Sequence, residues 1–199
     1  MKKTMLGLLV CASLPAMAAN DATVNLTFTG KLIAATCTAT FVGGNSVDFG
    51  SVKANEILNK SVGTLITNAG SPLVQERAIQ FSNCSSGTTK ATVKFASSEG
   101  AVGYGPWNYK SAYFYKGATK TPVGYAIFKA TGDTGVSQAL DLRSDANNAG
   151  TEITLSTLTN NKWPLFFKVL SVTEAGTGTD VSSLIGNLTA TGTATITYL

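Results

Sequence analysis

Three cysteines and no histidine set the limits of what chemistry this 199-residue chain can carry. Residues Met1–Ala18 read as an export signal. Lys2 and Lys3 form a basic start, Met5–Ala12 is apolar, and Ala16-Met17-Ala18 offers a small-x-small cleavage site behind Pro15. The apolar run is too short to span a bilayer. Cys11 leaves with that segment, so Cys37 and Cys84 remain as an even pair in an exported chain, which reads as one disulfide. Such a bridge closes a loop of about 48 residues and is worth about 4 kcal/mol in the chain-entropy model. A zinc site or redox pair fits less well, because two distant cysteines without histidine cannot complete a metal's ligand set. Enzyme chemistry finds no purchase: there is no imidazole base, no free thiol after processing, no phosphate-cradling glycine motif and no recognisable carboxylate pair. The expectation is a non-enzymatic protein without cofactor or metal.

One further stretch has residue types suited to binding. Glu99–Tyr115 (EGAVGYGPWNYKSAYFY) carries three glycines and Pro106, so it reads as a loop, yet Tyr104, Trp107, Tyr109, Tyr113 and Tyr115 crowd into it. Aromatic rings that stack on sugars are one reading, with Tyr104, Trp107 and Tyr109 as the ligand loop for a host glycan. The other is a loop folded over the core, with rings partly buried and polar tips outside.

The elements that must hold these residues are strands. Asn187–Leu199 (NLTATGTATITYL) alternates without a break, Leu188, Ala190, Gly192, Ala194, Ile196 and Tyr198 on one face and five threonines on the other. Strict period two is a half-buried β-strand, and its outer edge has no local partner in sequence. The start of the exported chain alternates too: Ala22, Val24, Leu26 and Phe28 against Thr23, Asn25, Thr27 and Thr29. Gly30 interrupts, then Lys31–Phe41 continues as a strand carrying Cys37. This permits a single long first strand, or a detachable strand whose apolar side chains fill a groove elsewhere. Further strands are expected at Ser46–Val52, Leu73–Cys84, Thr88–Ala96, Val123–Ala130, Gln138–Leu142, Thr151–Leu155 and Trp163–Val172, with a helical turn around Ala54–Leu58. Many short strands parted by Gly- and Asn-rich turns predict one all-β domain of sandwich type. The formal charge of +4 falls to about +2 once Lys2 and Lys3 are removed, too little to argue for nucleic acid.

These residues together resemble a pilin subunit of the chaperone–usher pathway, of the type 1 and P pilus group. Gly186 stands fourteenth from the C-terminus and Tyr198 is penultimate; Cys37 closes TFTGKLIAATC, Cys84 sits in FSNC, and Ala22–Phe28 alternates as a donor extension does. The resemblance covers essentially the whole exported chain. It implies an incomplete immunoglobulin-like β-sandwich lacking its seventh strand, completed by a donor strand from another chain. Its partners are a periplasmic pilus chaperone, an outer-membrane usher and neighbouring pilin subunits, with the fimbrium on the bacterial surface as destination. It divides the chain into a signal peptide (1–18), a donor-strand extension (19–29) and a pilin domain (30–199).

Residue roles follow from the same resemblance. Ala22, Val24, Leu26 and Phe28 are donor side chains, whose burial contributes about 5–10 kcal/mol as an upper estimate. Gly186, Ala190, Ala194, Ile196 and Tyr198 form the acceptor-groove edge that chaperone and subunit recognise, and the Leu199 carboxylate anchors basic residues of the chaperone. There is one departure from the family: the extension is short and has no glycine before Gly30, as in minor tip and adaptor subunits.

Overall fold

The computed structural model describes residues 21–32, 37–53, 56–58, 60–68, 70–103, 105–173 and 185–199. The expected export signal and Tyr104 lie outside them. Twelve strands occur among the described residues: β1 (Asp21–Leu32), β2 (Thr38–Val42), β3 (Ser46–Lys53), β4 (Thr67–Asn68), β5 (Ser71–Pro72), β6 (Val74–Ser82), β7 (Lys90–Ser97), β8 (Ala112–Lys116), β9 (Thr119–Phe128), β10 (Thr151–Thr154), β11 (Lys162–Ser171) and β12 (Gly186–Tyr198). No α-helix is present among these residues. The protein is all-β, as composition and periodicity predict.

Ten of the strands make one curled sheet, and β4 pairs β5 separately. One wing runs β10-β7-β12-β1-β3 and the other β8-β9-β11-β6-β2. The wings join where Thr189 of β12 pairs Tyr115 of β8. Their inner faces share one core, in which Phe28 of the first wing meets Phe167 of the second at a ring distance of 5.2 Å. Alternating strands such as β7 turn one face to that core, so Ala91, Val93 and Phe95 are buried and the residues between them only partly so.

Strands β9 and β11 carry apolar runs rather than alternation, because both their faces are covered. Behind them a second, smaller cluster packs Trp107, Tyr113, Phe128, Leu170 and Val172 under the surrounding loops. Gly63 belongs to this layer: a Cβ there would lie 2.1 Å from Trp107 Nε1, so only glycine lets the chain pass that ring.

The expected strand boundaries hold within one or two residues for β3, β6, β7, β10, β11 and β12. Five local expectations differ, the first two being that strand Val123–Ala130 is β9 from Thr119 to Phe128, and that Lys31–Phe41 is not one strand, since β1 ends at Leu32 and β2 begins at Thr38, after Cys37. Gln138–Leu142 is not a strand; a 3-10 turn at Val136–Gln138 leads into an irregular segment docked on β9, with the Leu140 amide donating to the Ile127 carbonyl at 2.8 Å. Gly30 does not interrupt the first strand, since β1 runs through it opposite Ala194. Glu99–Tyr115 is a loop only as far as Ser111, after which β8 begins. Around Ala54–Leu58 the described residues, 56–58, make a single turn, as expected.

Cys37 and Cys84 are disulfide-bonded across 47 positions. Cys37 immediately precedes β2 and Cys84 follows β6, so the bridge closes the open end of the β2–β6 ladder beyond the Thr38–Ser82 pair.

Candidate functional site

The expected donor and acceptor segments meet within one chain. β1 lies in a slot between β12 and β3, parallel to β12 from Ala22–Gly186 to Leu32–Ile196 and antiparallel to β3. A register shift between Thr23 and Asn25 adapts it to β3. Sequence reading places a strand of another chain alongside β12; here the chain's own β1 takes that place. β1 is thus neither an edge nor the start of one long strand, since it is flanked on both sides and ends at Leu32, and its apolar side chains fill a groove of their own chain.

Three of the four expected donor side chains are seated in the core. Val24 and Leu26 are 0% exposed and Phe28 is 1% exposed. Ala22 pairs with Gly186 through the backbone, and its side chain lies outside the described ones. Phe28 meets Phe95 edge-on at 5.7 Å and Tyr125 edge-on at 6.1 Å, besides Phe167. Its amide leaves the ladder and donates to the Asn45 carbonyl at 2.8 Å. Asn25 and Thr27 are half-buried and Thr29 is exposed on the outer face.

The acceptor edge divides by the same alternation. Ala190, Ala194 and Ile196 are buried, while Tyr198 is half-buried and meets Phe81 edge-on at a ring-centre distance of 6.4 Å. Burial raises the Tyr198 hydroxyl above its ordinary pKa. Gly186 sits at φ +127 where β12 begins, a conformation that L side chains rarely adopt. Leu199 is 59% exposed, its backbone tied to Lys90 by an amide-to-carbonyl bond of 2.9 Å.

Two features of this slot escaped the sequence reading. The second wall is β3, whose Val47 and Phe49 are buried beside β1; their alternation was visible, but nothing in it names the partner strand. The other is Gly192, the glycine on the apolar face of β12. A Cβ there would lie 2.6 Å from Phe28 Cε1 and 3.0 Å from the Ala96 carbonyl oxygen. Gly192 is a notch for the Phe28 ring, and the run of small residues Ala190, Gly192 and Ala194 was its signal. Gly192→Ala is expected to lower stability by about 1–3 kcal/mol through overpacking. In a Phe28→Ala background most of that cost disappears. Urea unfolding of both single variants and the double variant measures it; a coupling below about 0.5 kcal/mol contradicts the contact.

The aromatic loop is mostly a cover over the second cluster. Trp107 is 6% exposed and packs edge-on against Phe128 at 6.3 Å, so its ring is not presented to solvent for stacking. Tyr113 is buried in β8. Tyr109 is 37% exposed at φ +61, and the Arg143 guanidinium lies 4.7 Å over its ring. Of the three expected ligand rings, the structure offers Tyr109 to solvent and withdraws Trp107.

Among the described residues, no group of three or more His, Cys, Asp or Glu side chains is placed to hold a metal. No protein-family model matches the chain, and comparison with curated proteins and with solved structures finds no match either.

Proposed function

We propose that this chain is a structural subunit of a bacterial surface fimbria that polymerises non-covalently by exchanging β1 between copies. On this reading the domain without β1 is the incomplete immunoglobulin-like sandwich. A periplasmic chaperone fills the slot first, an outer-membrane usher delivers the subunit, and a neighbour's extension takes the slot in the fibre. One observation carries the reading: a strand near the start of the chain supplies Val24, Leu26 and Phe28 to the core while pairing β12 on one side and β3 on the other. An element that contributes core side chains from near one end of a chain is suited to exchange between identical copies. The contact is head to tail, so it propagates rather than closes. Removing β1 would bare the β12 edge, the β3 edge and the apolar slot between them, a surface prone to aggregation. The parallel orientation of β1 on β12 favours exchange, because parallel pairing is slightly weaker per residue than antiparallel pairing.

The test compares residues 19–199 with a variant lacking residues 19–29, each incubated alone and mixed, by size-exclusion chromatography and electron microscopy. The longer chain is expected to form filaments on prolonged incubation. The shortened chain is expected to form none alone, and to cap filaments in the mixture because it accepts a strand but cannot donate one. Filaments from the shortened chain alone would overturn the proposal.

A further inference from the structure

A polar cleft of about 310 Å³ opens on another part of the molecule, between Lys110, the 129–140 segment and the 141–151 segment. None of its lining residues belongs to β1, β3 or β12. It therefore stands independently of any role in assembly.

Both segments are held rigid from beneath by a buried polar side chain. Lys168 of β11 is 2% exposed, and its ammonium donates to the carbonyls of Thr131 and Asp133 at 2.6 and 2.5 Å. Gln138 completes that segment, accepting from the amides of Thr134 and Gly135 and donating to the Asp133 carboxylate. On the other side Asn148 is 1% exposed and donates to the Phe95 and Arg143 carbonyls, each at 2.8 Å. The Asp145 carboxylate holds the turn by accepting from the Asn147 amide at 2.9 Å. The walls are pre-formed, as a small-ligand site requires.

The groups that face the cleft are, by contrast, unspent. The Ser137, Asn147 and Thr151 side chains make no hydrogen bond among the described residues, and Lys110 and Lys129 have no salt-bridge partner there. The cations are Lys110, Lys129 and Arg143, against Asp141 as the lining carboxylate. Asp141 is already engaged: Arg143 Nη2 binds its Oδ2 at 2.6 Å, and Arg143 Nε reaches both oxygens. Desolvation pushes the Asp141 carboxyl up, but the Arg143 hydrogen bonds, with the charges of Arg143 and Lys110, outweigh it and hold the group below its ordinary pKa. The Tyr109 ring beneath the guanidinium fixes that pair in place.

We propose that this cleft binds a sugar acid, a single pyranose ring bearing a carboxylate. Two ammonium groups outside any salt bridge, one of them Lys110 within electrostatic reach of Asp141, call for an anion, and three hydroxyl or amide side chains in the same lining call for a polyhydroxylated body. The volume lies at the small end of ligand pockets, enough for one or two rings, and the mostly polar lining excludes an acyl chain.

The probe is sodium glucuronate, titrated into isotope-labelled residues 19–199 and followed by amide chemical shifts, with glucose and inorganic phosphate in parallel. Glucuronate is expected to shift the Lys110, Ser137, Asn147 and Thr151 amides saturably, with Kd on the order of 1 mM. Glucose and phosphate are each expected to bind at least about tenfold more weakly, since each lacks half of the matched chemistry. The double variant Lys110→Gln/Lys129→Gln is expected to weaken glucuronate about tenfold and leave the melting temperature unchanged. Equal affinity for phosphate would mean an adventitious anion only. Equal affinity for glucose, an unaffected double variant or no saturable shift would each overturn the proposal.

Discussion

Phe28→Ala is expected to lower the free energy of unfolding by about 3–5 kcal/mol, the range for truncating a buried aromatic ring. Phe28 is 1% exposed and touches both wings, so the cavity left behind is walled by Phe95, Tyr125 and Phe167, which belong to three different strands. Strands held in ladders cannot all move inward, so the site relaxes little and the cost falls toward the upper end. Thr29→Ala, one residue further on the exposed face, is expected to stay within about 0.5 kcal/mol. Urea unfolding of the two variants side by side gives the contrast. A Phe28→Ala cost under about 1 kcal/mol would show that β1 is not seated in the slot. The proposed assembly adds a second consequence: the same variant becomes a poor donor while remaining a normal acceptor. Mixed with intact chains it should terminate growth at one end only.

Removing the disulfide comes next in size. Cys37→Ser/Cys84→Ser is expected to cost about 4 kcal/mol, given a closed loop of 47 positions. A domain of this kind is stable by about 5–15 kcal/mol in all, so the loss is a quarter or more of the total. The bridge also sits where the chain leaves β1 for β2, and it pins that junction to the end of β6. Without it, β1 is tethered to a frayed ladder rather than to a fixed point. Hydrogen exchange should then show β1 amides losing protection before those of β9 or β11. A chain whose unfolding midpoint and β1 protection survive reduction would refute this account.

What the sequence discloses here is mostly local. The thirteen residues of β12 alternate strictly, and period two is a property of each residue and its neighbours, so strand and inward face were both legible. That the same chain supplies the strand beside it was not, because pairing across most of the chain leaves no trace in either segment's own pattern. Gln138–Leu142 misled for the opposite reason: Ala139, Leu140 and Leu142 are buried, but a loop docked on β9 buries them, and burial without a ladder looks like a strand. Trp107 shows the same ambiguity, since an aromatic among glycines fits a ligand platform and a lid equally well. The cleft was least visible of all. Lys110, Lys129 and Arg143 are unremarkable singly, and only the folding of two loops around Lys168 and Asn148 brings them together.

Among the described residues, the strand partners across the β1–β12 interface are the most distant in sequence; Thr29 and Gly192, joined by a hydrogen bond, are 163 positions apart. Contacts of such separation form late, because the loop they close has the highest entropy. Much of the remaining core can therefore assemble while the slot beside β12 stands open. Whichever strand arrives during that interval enters the core. For the chain's own strand, covalent attachment to the domain sets a local concentration of about millimolar order. A foreign strand in free solution below that level loses the first encounter. One already held against the nascent domain wins it, and the two products have nearly the same side chains in the slot. In the proposed assembly, the choice between closed and exchanged forms would then be made by the order of arrival during folding, before any equilibrium between them is reached.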